Sequence, residues 1–155
     1  MSESTEPHAK IVIRTTYDDG SADVETPWAH DLGNDRYKLD NLLWFAYGIS
    51  WHDVVLAPFD PDEGRPVFER VVEKSGHRTV RIIFPEGLAP GSPAESIKEH
   101  LLSLGCSFEG MNHRLFSFNI PPGVLLEDVR AYLIEQDAQW EHADPTYEEL
   151  FPDAD

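Results

Sequence analysis

Hydrophobic and polar positions change period once along this chain of 155 residues, near Ser92. Before it the apolar residues alternate. In residues 10–17, Ile11, Ile13, Thr15 and Tyr17 share one parity, the pattern of a half-buried strand. Asp18-Asp19-Gly20-Ser21 has turn chemistry. Val24, Thr26, Trp28 and His30 then share a parity, with Pro27 marking an irregular entry. Gly33-Asn34-Asp35 turns the chain into a third short strand over 36–39. Residues 54–57 read as a strand stopped by Pro58, Asp60 to Gly64 as an acidic turn, and 67–73 as a further alternating segment. Many short strands between tight turns predict a small antiparallel β-barrel, SH3-like in size, over residues 10–78.

After Ser92 the period becomes helical. Ser92, Pro93 and Glu95 form a capping-box start, Ile97, Leu101 and Leu104 follow at helical spacing, and Gly105 stands where a left-handed cap is expected. Residues 106–109 and 115–120 predict a hairpin. A three-residue loop of Met111, Asn112 and His113 would set Phe108 opposite Phe116 and Cys106 opposite Phe118. A second helix over 125–136 puts Leu126, Val129 and Leu133 on one face, and a last strand over 139–142 carries Trp140 inward. With the strand over 79–84, this is the βαββαβ order of a ferredoxin-like sandwich over 79–143. The expected fold class is therefore α+β, an SH3-like barrel followed by that sandwich. Residues 1–9 read as a flexible leader and 144–155 as an acidic tail.

The segment 37–58 joins the two modules and holds Tyr37, Trp44, Phe45, Tyr47 and Trp51. Each large aromatic buries about 150–250 Å², so this segment is expected to form the buried seam between them. Composition adds two constraints. Twenty-nine acids against twelve bases give a net charge of −17, which repels nucleic acid and anionic membranes and favours a basic protein partner. Acidity serving solubility alone, or an acidic proteome, is the plainer reading. The single cysteine, Cys106, allows no internal disulfide and fits a reducing cytoplasm, and no run reaches the roughly 18 apolar residues of a membrane span.

Catalytic chemistry is sparse. Seven histidines are scattered singly with no metal-ligand spacing, so no metal and no cofactor is expected. His52-Asp53 could orient an imidazole for general-base work, although an aspartate there more often holds turn amides. Cys106 falls on the apolar side of the hairpin, where a thiol is inert. Arg65, Arg70, Lys74, His77, Arg78 and Arg81 either form a local basic patch or pair with neighbouring acids. In the tail, Tyr147, Leu150 and Phe151 either pack back onto the body or form a docking motif.

The order TPWAHDLGNDRYKLDNLLWFAYGISWHDVV, then VFERVVEKSGHRTVRIIF, resembles the bacterial domain of unknown function 4265, with looser likeness through SIKEHLLSLGCSFE and VRAYLIEQDAQWEHADP. The resemblance implies a domain from about residue 10 to 145 and no established activity. Many members carry glycine just before the aspartate where this chain has His52, which implies no shared catalytic role for that histidine.

Two functions follow as expectations. The first is a non-enzymatic acidic binding protein that inhibits or regulates a basic partner, of the immunity-protein or nuclease-inhibitor type, through Asp18, Asp19, Asp60, Asp62, Glu63, Glu148 and Glu149. The second is a small-molecule sensor or minor enzyme with a pocket between the modules lined by Trp28, Trp51, His52 and His77.

Overall fold

In the computed structural model, which describes residues 9–153, the chain alternates as the sequence suggests but closes no barrel. The first half contains β1 (Ala9–Lys10), β2 (Ile13–Thr16), β3 (Ala22–Glu25), β4 (Trp28–Gly33), β5 (Arg36–Leu39), β6 (Val54–Leu56), β7 (Phe59–Asp60), β8 (Arg65–Pro66) and β9 (Arg70–Glu73). They form an open sheet in the order β1-β4-β5-β6-β9, with β2-β3 and β7-β8 as separate hairpins. Closure would require every edge to find a partner. Short strands of two to six residues, interrupted at Pro27, Pro58 and Pro66, leave too few ladder donors for that. The leader expected over 1–9 lies outside the described residues except for Ala9, which starts β1.

The inward parity around residues 24–30 is the reverse of the one the large side chains suggest. Val24 and Trp28 are exposed, whereas Glu25, Pro27 and Ala29 are buried. The core of this half is built from Ile11, Ile13, Ala29, Tyr37, Leu39, Leu43, Ala46, Ile49, Val55 and Ala57.

The second half contains β10 (Arg78–Ile83), α1 (Pro93–Leu104), β11 (Ser107–Gly110), β12 (Leu115–Ile120), α2 (Leu126–Glu135), β13 (Gln139–Asp144) and the short α3 (Tyr147–Leu150). Its four strands form an antiparallel sheet in the order β11-β12-β10-β13. α1 starts as its sequence dictates, because the Ser92 side chain accepts from the amide of Glu95 and Pro93 opens the helix, while Gly105 closes it at φ 110°. The Glu95 side chain reaches the amide of Gly91 rather than that of Ser92.

The hairpin register differs by two residues from the expected one, since Phe108 faces Phe118 and Gly110 faces Phe116. Asn112 causes the shift by accepting from the amides of Arg114 and Leu115, which moves the three-residue loop one position onward. A shift of two preserves parity, so the large apolar side chains stay on one face. Glycine is needed at 110, because a Cβ there would lie 2.9 Å from the Phe116 ring. The second core gathers Val80, Ile82, Phe84, Ile97, Leu101, Cys106, Phe116, Phe118, Ile120, Val129 and Leu133.

Between the halves, residues 40–53 form neither helix nor strand. The aromatic seam expected there is mostly an aliphatic and ionic one. Leu42, Leu43, Ala46 and Ile49 are buried, Trp44, Phe45 and Trp51 are half-buried, and Tyr47 is 45% exposed. Buried irregular backbone must find partners for its amides and carbonyls, and here charged side chains supply them. Glu25 accepts from the amides of Trp44, Phe45 and Ala46 at 2.7, 3.1 and 3.0 Å. Glu109 accepts from the amide of Leu42 and the Asn41 side chain. Arg81 donates to the carbonyls of Leu43, Phe45 and Ala46.

Candidate functional site

The seam and the connection between β9 and β10 bring the His52 and His77 rings within 5.8 Å of each other. Asp53 is fully buried and accepts from the amides of Ser50 and Ser75 at 2.8 Å each, so it fixes the turn and does not orient His52. His52 itself takes φ 68°, the left-handed region that glycine enters without steric cost. Its ring stacks on Trp51 with centroids 3.5 Å apart, and its Nε2 stands 3.5 Å from Asp40 Oδ1. The other oxygen of Asp40 lies 3.7 Å from His30 Nε2. Burial, with Lys38 nearby, holds the His52 pKa below its ordinary value, although Asp40 pulls the other way.

His77 packs edge-on to Trp51 and has its Nδ1 3.1 Å from Asn119 Oδ1. With Lys38, Glu73, Lys74 and Ser75, the two imidazoles line an open cleft of about 400 Å³. Its wall is more polar than apolar, and Ser75, the hydroxyl nearest to a nucleophile's role, already donates to the Trp51 carbonyl at 2.7 Å. Lys74 bridges Asp53 at 2.5 Å and Asp144 at 2.6 Å. Burial alone would lower the Lys74 pKa, but the hydrogen bonds its ammonium donates to both carboxylates raise it. Asp144 also accepts from Ser50, whose hydroxyl pairs with Thr79. Trp28, the fourth residue expected here, is elsewhere. It lines a separate depression with Thr26, Asn41 and Met111 and lies under the Lys10 ammonium.

The expected acidic surface falls on two turns and a short helix, apart from one another. Asp18 and Asp19 sit in the β2–β3 turn, where Asp19 accepts from the amide and hydroxyl of Ser21. Those hydrogen bonds hold the Asp19 carboxyl below the usual carboxylate range. Asp60 ends β7, and Asp62 and Glu63 occupy the β7–β8 turn, with Asp60 accepting from the amide of Asp62. Glu148 and Glu149 belong to α3, where Glu149 completes a capping box with Thr146. Among the described residues, no ion pair joins any of these carboxylates to a cation.

The basic residues from 65 to 81 do not form one patch. Arg81 is buried in the seam, Lys74 is held by its two aspartates, and Arg78 donates to the carbonyls of Pro121 and Val124. Burial pushes the Cys106 thiol up to about 11, as its place in the core requires. Among the described residues no three His, Cys, Asp or Glu side chains converge as metal ligands.

The tail folds back onto the sheet edge. Tyr147 lies 5.6 Å and Phe151 6.5 Å from the His142 ring, and the Arg130 guanidinium covers Phe151 at 4.8 Å. Beside it, Tyr47, Trp140, His142 and Tyr147 line a second depression of about 610 Å³ together with Glu141 and Glu148. No sequence signal marked this group, because Tyr47 comes from the seam and the others from the far end of the chain.

Residues 25–143 match the family model described as Domain of unknown function (DUF4265). The fold is similar to that of a hypothetical protein from Neisseria gonorrhoeae at TM-score 0.76 and 12% identity, over 91% of this chain and 96% of that one. None of the curated proteins matches the chain. Among the described residues no helix is long and apolar enough to cross a membrane.

Proposed function

The chain belongs to the DUF4265 family, and from that premise we propose that it is a non-enzymatic binding protein whose acidic surface takes a basic protein partner, as an immunity protein or nuclease inhibitor does. What carries the reading is where the cations go. Twelve bases face twenty-nine acids, and the fold draws Arg78 and Arg81 onto backbone carbonyls and Lys74 onto buried aspartates. The exposed carboxylates of the two turns and of α3 therefore keep a negative field that local pairing does not cancel. Such a field steers encounter with a positive surface and weakens as ionic strength rises.

The proposal places the protein in a bacterial cytoplasm, where the lone Cys106 stays reduced. It also takes the C-terminal half as a ferredoxin-like sandwich beside an SH3-sized open β unit, which the strand order supports. The test is a pull-down from the native cell with the full chain, at low and at moderate salt. A basic protein retained at low salt and released at moderate salt is the expected result; no salt-sensitive partner would defeat the reading.

The second reading, a small-molecule sensor or minor enzyme, has one observation in its favour. His52, with Asp40 behind it, and His77 converge on a ligand-sized cleft. The cleft is open and polar rather than deep and apolar, which weighs against a drug-like ligand.

A further inference from the structure

We propose that the depression beside β13 binds a lysine or arginine side chain of a basic protein partner. The inference rests on the binding function proposed above and names the place on the surface where that partner's cation is held.

Three observations lead to it. Tyr47 and Tyr147 are among the large apolar-bodied side chains that the protein leaves in water, 45% and 47% exposed, and they lie on the same depression with Trp140 and His142. Aromatic faces attract cations, and tyrosine and tryptophan are the residues that most often anchor protein interfaces. The molecule already uses neighbouring rings in this way, since Arg81 lies 4.8 Å from the Tyr47 centroid and Arg130 lies 4.8 Å from that of Phe151.

The charges around the depression decide the sign of its ligand. From β13, Glu141 is held by Arg81 Nε at 2.9 Å and by the Tyr47 hydroxyl at 2.7 Å. On α2, Arg130 is paired with Glu127 at 2.8 Å and donates to His142 Nε2 at 2.9 Å. From α3, Glu148 lines the same depression, and among the described residues it has neither hydrogen bond nor ion pair. Each cation in the neighbourhood thus has its own carboxylate, and Glu148 is left over. Burial and Arg130 hold the His142 pKa below its ordinary value, so the imidazole stays neutral at pH 7 and adds no positive charge. β13 is an outer strand of its sheet, so no further strand covers the depression.

The experiment titrates the full chain with acetyl-Gly-Arg-Gly-amide, its lysine counterpart and the neutral citrulline peptide. The Trp140 indole N–H and the backbone amides of the two acidic turns away from the site, β2–β3 and β7–β8, are followed by NMR. Saturable shifts of Trp140 with the two cationic peptides, and none with citrulline, are expected. Glu148→Gln removes only the uncompensated charge and should raise the Kd about threefold to tenfold, as should Tyr47→Leu. If the acidic turns respond while Trp140 does not, this site is overturned and the acidic-surface reading stands. If neither responds, both fall. Equal shifts with citrulline, or an unchanged Kd in the folded Glu148→Gln variant, would also overturn the site.

Discussion

Replacing Arg81 by Met takes the guanidinium out of the seam while keeping an unbranched stem of similar length. Arg81 is 2% exposed, and its two shortest bonds run to Glu141 and to the Ala46 carbonyl, both at 2.9 Å. The bonds to the carbonyls of Leu43 and Phe45 are 3.4 Å long and add little. A hydrogen bond from a charged donor contributes about 1.5–3 kcal/mol net, and a carbonyl left buried without a donor costs about 1–3 kcal/mol. The pair with Glu141, whose side chain is 46% exposed, contributes no more than about 1 kcal/mol. Arg81→Met should therefore destabilise by about 3–4 kcal/mol, a large part of the ~5–15 kcal/mol typical of a domain. Urea unfolding followed by tryptophan fluorescence measures this, with a lower midpoint and an unchanged slope expected. Amide exchange over residues 43–48 should accelerate in the same variant. Glu141→Gln is the control and should cost no more than about 1 kcal/mol. The reasoning is refuted if Arg81→Met costs less than the control, because the carbonyls would then not depend on the guanidinium.

The Cys106 thiol, buried and pushed up to about 11, should react with a thiol reagent only as fast as the chain unfolds; prompt labelling in native buffer would contradict its place in the core. Deleting residues 146–155 removes the packing of Tyr147 and Phe151 on His142 and Arg130, contributions of about 0.5–1.5 kcal/mol each, and should lower Tm by about 4–8 °C. An unchanged melt would mean that the tail does not hold to the body. His52 and His142 both have pKa values lowered first by burial, so below about pH 6.5 the unfolded chain takes up protons that the folded one does not. Stability should be full above that pH and fall as pH drops through the two folded-state values. The His52→Gln/His142→Gln double variant should show a flatter urea midpoint between about pH 6.5 and 5.5.

Much of the second half is legible because its signals are local. Ser92, Pro93 and Gly105 each act on backbone within a few residues, so the start and end of α1 follow from neighbours in sequence. Parity alone keeps the apolar face of the β11–β12 hairpin intact even though Asn112 moves its register by two. The same reasoning fails at β3 and β4. There Val24 and Trp28 look like inward residues, but the buried member of the pair is Glu25, whose carboxylate holds amides 19 to 21 positions away.

The sequence by itself determined the acidic balance, the change from strand to helical period, the caps of α1 and the family. Only the tertiary structure decided that the barrel stays open, that Asp40 rather than Asp53 stands by His52, and that Tyr47 meets Trp140 and Tyr147 at one depression. Periodicity and caps are written within a turn or two of chain. The seam is held by charged side chains reaching irregular backbone across separations as large as 67 residues, as between Glu109 and Leu42, and such bonds leave no local pattern to read.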